Sequence, residues 1–596
     1  MRRYIIVGGV AAGATAAARL RRLDEEAKIL LIERGSNVSY ANCGFPYYIG
    51  GEIQSRNAIF VATKESIEAK YNIDVRQRTE VTGIDKEAHK VNLKNLETGE
   101  ESIEEYTKLL LATGSSPIVP PFPGVDGDRV FTLWSVPDTD RIKEFVVKNK
   151  PKSVVVVGGG FIGLEMVENL VRLGVKVSLV EMMPQVMAPF DSDMSKMIEN
   201  HLCEKGVDMH LGKGLVSIHD GGRRALLDDG QSIDCDMVLL SIGVRPNNEL
   251  AKAINLKMGK KGHVIVDEHM KTSEPDIFAA GDLVESKNFI TGEMRCVPLA
   301  GPANKQGRIA ADNMALEANS DDPKVAIHGV RDISGAENRY IYKGTQGTSV
   351  AQIFDLDAAS TGLNERQLKQ QGMEYMTDYA FSLVHPQSHA GYFPGALPMC
   401  IKLIFSLKDG KVLGAQIVGY DGVDKRIDVI STAMRFEATV YDLIHLELAY
   451  APPYSSAKDP VNMAGYAATN ILEGLTDVRT WDQALEAVKN SDKNELIDVR
   501  EEIELMAHKI DGVKNIPLTS LRDRMSELSK DKSYYLFCAI GLRGYLAERI
   551  LKQNGYDVKD VLGGIRTYQA GSRCRGKDDR MSDVYGRNGN HKRGID

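Results

Sequence analysis

Two cysteines stand in surroundings that could make their thiols reactive. Cys43 lies in SYANCGFPYYIG, among small, polar and aromatic residues, and the next cysteine along the chain is Cys203. Cys538 follows the apolar run YYLF and opens CAIGLRG, in which Arg543 comes five positions later. A thiolate is the nucleophile in sulfur exchange. The sequence therefore offers two separate stretches for thiol chemistry.

The other features of composition exclude several classes of protein. The seven cysteines are scattered at positions 43, 203, 235, 296, 400, 538 and 574, which favours neither a disulfide framework nor a zinc site. With 596 residues, 43% hydrophobic and 26% charged, the chain has room for about four ordinary globular domains. A net charge of −8 without a large basic block argues against nucleic acid.

The N-terminus predicts a location inside the cell. MRRYIIVGG enters a strand at once, and the sequence shows neither a signal-peptide core nor a long apolar run. We therefore expect no membrane partner and a reducing cytoplasm, in which free thiols serve as reagents.

A first glycine turn lies in YIIVGGVAAGATAAARLRRL. Four apolar residues predict a buried strand, Gly8, Gly9 and Gly13 predict a tight turn, and the alanine-rich remainder predicts a helix. This layout places a pyrophosphate on a helix N-terminus, although Val10 replaces the second glycine of the dinucleotide pattern. The next strand, KILLIE, ends on Glu33, which is placed to bind a ribose hydroxyl.

A second glycine turn lies in SVVVVGGGFIGLEMVENL, where Gly158, Gly160 and Gly163 match the dinucleotide pattern fully. The strand after it, KVSLVE, ends on Glu181 and is followed by Met-Met-Pro. A 2′-phosphate would meet a carboxylate there and no arginine, which favours NADH over NADPH.

Two dinucleotide sites in one chain predict FAD together with a nicotinamide dinucleotide. LLLATGSSP and VLLSIGVRPN each predict a strand that runs into a glycine turn, and DIFAAGD, ending on Asp282, precedes VPLAGPANKQGR. With these ordered motifs the chain resembles the pyridine nucleotide–disulfide oxidoreductase family from Met1 to Tyr466. The resemblance implies that Asp282 contacts the ribityl chain of FAD.

The resemblance also implies two sets of nucleotide contacts. Those to FAD are expected at Gly8, Gly9, Ala11, Ala12, Gly13, Glu33, Arg34, Asn42, Val81, Ala112, Thr113, Gly114, Gly281, Asp282, Leu299 and Ala300. Those to NADH, with NADPH as the alternative, are expected at Gly158, Gly160, Phe161, Ile162, Gly163, Glu181 and Gly243.

Most disulfide reductases of this family use two neighbouring cysteines, and none stands beside Cys43. The motif resembles the single-cysteine branch of coenzyme A disulfide reductases, CoA persulfide reductases, NADH oxidases and NADH peroxidases. In the two reductases the cysteine alternates between a thiolate and a mixed disulfide with CoA, and Ser39 and Asn42 could orient it. Ala11 stands where peroxidases carry a histidine, which counts against peroxidase function.

A basic stripe on the first helix could bind CoA. Thr15, Arg19 and Arg22 share one helix face, and two guanidinium groups suit phosphates. Spacing alone favours a solvated basic face, whereas the resemblance favours CoA. The CoA contacts that it implies are Thr15, Arg19, Arg22, Ser39, Asn42, Lys70 and Lys458.

HAGYFPG and AYAPPYSSAKDP lie in a segment that resembles the dimerisation domain of the family. The resemblance implies a homodimer in which Tyr392 and Tyr450 of one subunit point at Cys43 of the other. A phenol can hydrogen-bond a leaving thiolate or protonate it. Packing of an interface is the alternative role for such tyrosines.

The C-terminal part repeats strand, loop and helix, which predicts a small α/β domain. CAIGLRG resembles the active-site loop of rhodanese domains, and LIDVR and NIPL match that family too. Backbone N–H groups and Arg543 would form an anion-binding nest that stabilises a thiolate and then a persulfide on Cys538.

The predicted fold class is α/β, with two Rossmann-like dinucleotide-binding domains, an α+β dimerisation domain and a small α/β rhodanese domain. The expected boundaries are 1–150 with 270–325 for FAD, 151–269 for NAD, 326–466 for dimerisation and 467–570 for rhodanese. Residues 571–596, with Cys574, are expected to form a disordered tail.

These motifs predict an enzyme that reduces CoA disulfide, CoA persulfide or polysulfide, with release of CoA thiol and hydrogen sulfide. A disulfide reductase alone would need no sulfur carrier, so the rhodanese domain favours the persulfide or polysulfide. An NADH oxidase of the same branch and a redox-sensing sulfurtransferase are the alternatives. No metal site is expected.

Overall fold

Parallel strands with crossover helices form the first part of the chain in the computed structural model, which describes residues 2–318 and 340–572. The first elements are β1 (Arg3–Val7), α1 (Ala11–Leu23), β2 (Lys28–Ile32), α2 (Phe45–Gly50), α3 (Lys64–Tyr71), β3 (Asp74–Arg76), β4 (Thr79–Asp85), β5 (Lys90–Asn95), β6 (Glu101–Glu105), β7 (Lys108–Leu111), β8 (Ser115–Pro117), β9 (Val130–Thr132) and α4 (Val136–Asn149).

A second series of the same kind follows. Its elements are β10 (Ser153–Val157), α5 (Phe161–Arg172), β11 (Lys176–Glu181), α6 (Ser192–Glu204), β12 (Asp208–Leu211), β13 (Leu215–His219), β14 (Arg224–Leu227), β15 (Ser232–Asp234), β16 (Met237–Leu240), β17 (Val244–Pro246), α7 (Glu249–Ala253), β18 (Val264–Ile265), β19 (Ile277–Ala279), β20 (Val284–Lys287), β21 (Met294–Arg295) and α8 (Ala300–Ala318).

The two series together form two five-stranded parallel sheets, and each sheet takes one edge strand, β19 or β9, from the other series. The strand orders are β19-β7-β1-β2-β3 and β12-β11-β10-β16-β9. The strands at their centres are buried apolar runs, as parallel strands covered on both faces must be. In both sheets a glycine turn follows the central strand, so the two predicted nucleotide sites lie at carboxyl ends of strands.

The segment after the second series is α+β. It comprises β22 (Ser349–Ile353), β23 (Leu356–Gly362), α9 (Glu365–Gln370), β24 (Tyr379–Val384), β25 (Met399–Ser406), β26 (Val412–Gly419), α10 (Val423–Arg435), α11 (Val440–Ile444) and α12 (Pro460–Leu472). Its sheet has the order β22-β23-β26-β25-β24, and β23, β26, β25 and β24 pair antiparallel.

The last domain is a parallel sheet with an apolar cluster on each face. Its elements are β27 (Val478–Arg479), α13 (Trp481–Asn490), β28 (Asn494–Asp498), β29 (Lys514–Asn515), α14 (Leu521–Arg524), β30 (Ser533–Phe537), α15 (Leu542–Gln553), β31 (Asp557–Val561) and α16 (Gly564–Ser572), with the strand order β27-β31-β30-β28-β29. Along β30, Tyr534 and Leu536 enter one cluster, and Tyr535 and Phe537 the other. This alternation delivers Cys538 to the carboxyl end of a central strand.

The chain divides into two compact units. One comprises residues 1–188 and 207–351, and the other comprises residues 189–206 together with those from Gln352 onward. Helix α6 therefore belongs with the C-terminal unit. There the Lys402 ammonium, fully buried, lies 2.8 Å from Asp193, 3.2 Å from Asp191 and 2.6 Å from Glu365. This network joins the start of α6 to β25.

The predicted fold class is confirmed. The exact domain boundaries stay predictions, and the expected disordered tail, including Cys574, lies outside the described residues beyond 572. Among the described helices, none is long and apolar enough to span a membrane.

Candidate active sites

The first glycine turn closes tightly onto the adjacent strand. Gly8 has a φ of 106°, and a Cβ on it would lie 2.1 Å from the carbonyl oxygen of Ala112. A Cβ on Gly13 would lie 1.8 Å from the carbonyl oxygen of Gly8. The Gly9 N–H donates to Glu33 Oε2 at 2.8 Å. The turn thus brings the N-terminus of α1 and the Glu33 carboxylate together, the arrangement that holds pyrophosphate and ribose.

Asp282 supplies a half-buried carboxylate near this turn. Ser115 donates its hydroxyl to Asp282 Oδ2 at 2.7 Å, and burial raises the pKa of the Asp282 carboxyl. A partly desolvated carboxylate is stabilised by hydroxyl donors, and the ribityl chain of FAD carries several of them. Gly307 lets α8 approach, since a Cβ there would lie 2.2 Å from the Ala12 carbonyl oxygen. The residues present therefore fit FAD.

The remaining expected FAD contacts lie mostly on these elements. Ala11 and Ala12 begin α1, Val81 is buried in β4, Ala112, Thr113 and Gly114 follow β7, Gly281 precedes Asp282, and Leu299 and Ala300 stand at the start of α8. Arg34 instead pairs with Glu80 at 3.7 Å on the surface. These assignments stay predictions.

The second glycine turn repeats the geometry of the first. Gly158 has a φ of 107°, and its Cβ would lie 2.3 Å from the carbonyl oxygen of Ser241. A Cβ on Gly163 would lie 1.9 Å from the Gly158 carbonyl oxygen, whereas one on Gly160 would meet nothing within 4 Å. The outer glycines close the turn, and the middle one faces open space where a pyrophosphate can approach.

Both carboxylate oxygens of Glu181 accept backbone N–H groups, and one of these groups belongs to the second glycine turn. Its Oε2 accepts the Gly159 N–H and its Oε1 accepts the Met183 N–H, each at 2.7 Å. The other expected contacts, Phe161, Ile162 and Gly243, stand in the first turn of α5 and after β16. A carboxylate fixed in this way fits a ribose with free hydroxyls better than one with a 2′-phosphate.

Cys43 stands on a short 3-10 helix, Asn42–Gly44, just before α2, and it is exposed. Its thiol donates to Asn42 Oδ1 at 3.8 Å. Partial desolvation by the surrounding protein and then the Glu165 carboxylate raise the pKa of Cys43. The Asn42 side-chain oxygen accepts this hydrogen bond from the protonated thiol. If the Asn42 amide turned by half a rotation, its N–H groups would face the thiolate instead.

Glu165 was not among the residues predicted for this site. It lies on α5, two positions after Gly163, and burial raises its pKa to about 7. Burial chiefly, and then the same carboxylate, raise the pKa of Tyr47 to about 12. Its place in the second glycine motif was visible in the sequence, but only the packing of α2 against α5 brings it near Cys43.

The basic stripe on α1 is less free than its spacing predicts. Arg19 pairs with the buried Asp312 of α8 at 2.7 Å, and Thr15 donates to Asn304 at 2.5 Å. Arg22 is exposed, and the Lys70 ammonium lies over the Tyr71 ring at 5.3 Å. The binding of CoA by this stripe stays a prediction. Arg19 would have to bind a CoA phosphate while it remains paired with Asp312.

The two predicted tyrosines lie together in the C-terminal unit. The hydroxyl oxygens of Tyr392 and Tyr450 are 2.8 Å apart, and both side chains are exposed. Lys458, the CoA contact predicted on the same unit, is also exposed. Ser39 stands in the other unit with a φ of 48°, a left-handed conformation that costs energy in a residue with a side chain.

The Cys538 thiol is buried inside its loop. Its sulfur accepts the N–H of Gly541 at 3.2 Å, and the φ of 110° at Gly541 turns this N–H inward. Arg543 donates to Glu504 at 2.5 and 2.8 Å. Glu504 chiefly, and Cys538 to a smaller extent, raise the pKa of Arg543. One N–H of the predicted nest therefore contacts the sulfur, and the nest as a whole stays a prediction. Sequence reasoning missed Glu504, which lies 39 positions from Arg543 in sequence.

Helix α16 forms a backbone hydrogen bond with the Cys538 loop. The N–H of Ile565 donates to the carbonyl of Cys538 at 2.8 Å. One turn on, Thr567 lies 3.2 Å from His385 of the preceding domain, and burial lowers the pKa of His385 to about 3. The loop is therefore anchored to the dimerisation segment through one helix and a neutral imidazole.

The profile of the pyridine nucleotide-disulphide oxidoreductase family matches residues 2–307. The chain belongs to this family. The profile of its dimerisation domain matches residues 348–460, and that of the rhodanese-like domain matches residues 480–570. As a member it is an oxidoreductase that uses FAD and NAD(H), and the predicted resemblance is confirmed.

Three similar proteins cover most of the chain. A coenzyme A disulfide reductase of Staphylococcus aureus is 33% identical over 468 residues, which is 78% of this chain and 100% of that protein. The crystal structure of reduced Bacillus anthracis CoADR-RHD is 46% identical with a TM-score of 0.89, covering 96% and 98% of the two chains. A NAD-dependent persulfide reductase from A. fulgidus is 36% identical with a TM-score of 0.85, covering 95% and 100%.

One similar structure belongs to a protein named for a different activity, and it is less similar to this chain than the two structures above. The water-forming NADH oxidase of Lactobacillus brevis is 27% identical with a TM-score of 0.72, and the match covers 80% of this chain and 100% of that one.

Proposed function

We propose that the protein reduces CoA-linked disulfides and persulfides with electrons from NADH, and that its rhodanese domain carries sulfane sulfur. One observation carries the proposal: Cys43 stands as a lone, exposed cysteine in a chain whose second thiol loop, around Cys538, is also intact. The relatives named for CoA disulfide and for persulfide reduction support it.

Cys43 performs the exchange step. Its thiolate attacks the sulfur bonded to CoA, so a Cys43–S–S–CoA bond forms while the substrate S–S bond breaks. A CoA disulfide releases CoA thiolate in this step, and a CoA persulfide releases hydrosulfide. The first glycine turn, Glu33 and Asp282 would hold FAD, and a bound flavin would supply the two electrons from NADH. With these electrons the mixed disulfide is cleaved, Cys43 returns as a thiolate and CoA thiolate leaves.

Two groups of residues are proposed to support this exchange. Arg22, Lys70 and Lys458 are exposed cations suited to CoA phosphates, and Thr15, Arg19, Ser39 and Asn42 complete the predicted set. The chain is proposed to act as a homodimer, since it contains the dimerisation domain of the family. In that dimer the Tyr392–Tyr450 pair of one subunit would protonate the leaving thiolate at Cys43 of the other subunit.

The extent of the matches favours this interpretation over an NADH oxidase. The oxidase match covers 80% of the chain, whereas those of the CoADR-RHD and persulfide reductase structures cover 96% and 95%. A redox sensor that only gates a sulfurtransferase would show no steady consumption of NADH. Sustained turnover with CoA persulfide separates the proposal from a sensor.

Mass spectrometry of the purified protein tests the Cys43 assignment. We expect a CoA-sized adduct on the peptide that contains Cys43, which disappears after treatment with a thiol reductant. The variant Cys43→Ser should retain FAD, because many backbone groups hold it, and should lose NADH-dependent reduction of CoA disulfide. Reduction at the wild-type rate by this variant would rule the assignment out. Cys203→Ser, which changes an exposed cysteine of the other unit, is the matched control.

A further inference from the structure

We infer that Glu504 sets the donor specificity of the rhodanese loop, directing Cys538 toward organic persulfides and away from thiosulfate. This inference rests on the proposed sulfur-carrier function of Cys538. Its basis is the ion pair in which both oxygens of Glu504 receive N–H groups of Arg543, at 2.5 and 2.8 Å. The one guanidinium in the CAIGLRG loop is therefore already bound to a carboxylate of the same domain.

The structure holds Glu504 firmly in this position. The residue lies in the short 3-10 helix Glu502–Met506, and its Oε2 also accepts the N–H of Glu501 at 3.0 Å. The Arg543 side chain is 28% exposed and that of Glu504 is 30% exposed, so the pair is partly shielded from water. The hydrogen bonds from Arg543 are the main cause that lowers the pKa of Glu504, which therefore stays ionised at neutral pH.

The charge of a sulfur donor determines how strongly the Glu504–Arg543 pair attracts or repels it. Thiosulfate carries two negative charges, so it needs the Arg543 guanidinium and is repelled by the Glu504 carboxylate beside it. An organic persulfide, R–S–SH or R–S–S⁻, carries at most one charge on its sulfur atoms. Backbone N–H groups such as that of Gly541 can hold that charge without displacing Glu504.

The surroundings of the pair favour a donor with an apolar arm. Ile503 and Met506, on the helix of Glu504, are 71% and 84% exposed, and Leu542, next to Arg543, is 63% exposed. Leu546 follows one turn later on α15 and is 41% exposed. These exposed apolar residues lie on the same two elements as Glu504 and Arg543, and exposed apolar side chains suit an organic chain better than a sulfate-like group.

The transfer step is the same for both donors apart from the leaving group. The Cys538 thiolate attacks the sulfane sulfur, and a Cys538–S–S bond forms as the donor S–S bond breaks. A persulfide R–S–SH gives Cys538–S–SH and leaves RS⁻, and thiosulfate gives Cys538–S–S⁻ and leaves sulfite. No electrons enter or leave the protein in either case.

The experiment follows the formation of persulfide on Cys538 by mass spectrometry in single turnovers of the full-length holoenzyme. The donors are thiosulfate and a simple alkyl persulfide, each over a range of concentrations. Glu504→Gln should lower the half-saturating concentration of thiosulfate by about tenfold, equivalent to ~1.4 kcal/mol, with little change in the maximal rate. The ratio of thiosulfate to persulfide specificity should rise correspondingly.

Two further variants separate this effect from a structural one. Glu502→Gln removes an equal charge from the same helix, at an exposed position without the Arg543 contact, and should leave the donor ratio unchanged. Glu504→Asp keeps the charge and should largely restore the original ratio. FAD content and NADH-dependent reduction of CoA disulfide should stay at wild-type values in all three variants.

The outcomes distinguish this inference from the proposed function. An unchanged donor ratio in Glu504→Gln, or the same shift in Glu502→Gln, overturns the inference while Cys538 still accepts sulfur. If Cys538→Ser accepts sulfur from both donors as fast as the wild type, the carrier role of Cys538 itself fails.

Discussion

The hydroxyl groups of Tyr392 and Tyr450 form a hydrogen bond of 2.8 Å across 58 positions of sequence. The bond is the main cause that raises the pKa of Tyr392. One phenol must donate and the other accept, so the pair presents one free O–H at a time. Such a pair can deliver a proton from one phenol while the other holds it in place.

Replacing either tyrosine should slow the exchange more than it weakens binding. We expect Tyr392→Phe and Tyr450→Phe to lower kcat for CoA disulfide by ~10²-fold, the usual contribution of a positioned proton donor, with KM nearly unchanged. Steady-state kinetics with NADH measures both constants. Tyr454→Phe, a change of an exposed tyrosine in the same segment, is the control.

Subunit mixing tests whether the tyrosines act across a dimer. Cys43→Ser subunits and Tyr392→Phe/Tyr450→Phe subunits should each be inactive as homodimers. Heterodimers contain one intact composite site, so the mixture should recover activity that neither parent shows. An active monomer in sedimentation, or no recovery in a verified heterodimer, would contradict the shared site.

Glu165 should make the reactivity of Cys43 depend on pH around neutrality. Its pKa is raised to about 7, so the carboxylate is charged above that pH and neutral below it. Since the charged carboxylate raises the pKa of Cys43, Glu165→Gln should lower that pKa. Alkylation of Cys43 by iodoacetamide should therefore be faster in the variant above neutrality and should converge with the wild type in acid. Equal rates at alkaline pH would exclude the coupling.

The coenzyme preference should follow Glu181. One of its carboxylate oxygens accepts the Gly159 N–H of the turn and the other accepts the Met183 N–H. The residues after it, Met182 and Met183, carry no positive charge for a 2′-phosphate. We expect kcat/KM to be higher for NADH than for NADPH, and Glu181→Ala to narrow the gap by about tenfold because it removes the repulsion. Equal or better values for NADPH in the wild type would overturn this expectation.

The sequence was most informative where chemistry depends on local motifs. Each of these motifs spans only a few residues, so its local structure could be read from the sequence. The domains and the two thiol loops could therefore be predicted from the glycine turns, Glu33, Glu181 and CAIGLRG. Contacts between distant segments could not. The Glu504–Arg543 pair depends on a 3-10 helix meeting a loop 39 positions later. The pairing of Arg19 with Asp312 depends on α1 packing against α8, and helical spacing alone gave Arg19 as a free cation.

Asp560 should make the C-terminal unit less stable as pH rises. It lies on β31, fully buried, and burial raises its pKa well above the ordinary value. The unfolded chain loses this proton at a lower pH than the folded one, so stability falls as pH rises from the unfolded pKa through the folded pKa. Above the folded pKa, the free energy of unfolding is lower by about 1.4 kcal/mol for every pH unit that separates the two pKa values. Asp560→Asn should remove this dependence, and urea unfolding at several pH values measures it.

Cys538→Ser should separate the two chemistries of the chain. Cys538 is the acceptor that the loop holds with the Gly541 N–H, so its loss should abolish sulfur transfer from either thiosulfate or polysulfide to an acceptor thiol. Reduction of ready-made CoA disulfide should stay near the wild-type rate, because Cys43 and both glycine turns belong to the other compact unit. Detection of the persulfide formed on the acceptor thiol measures the first activity, and NADH oxidation with CoA disulfide measures the second. If the variant also stops CoA disulfide reduction, the two thiols are coupled within the catalytic cycle. If NADH-dependent reduction of polysulfide continues unchanged, the rhodanese domain is not on the main route, and Cys43 receives the sulfur substrate directly.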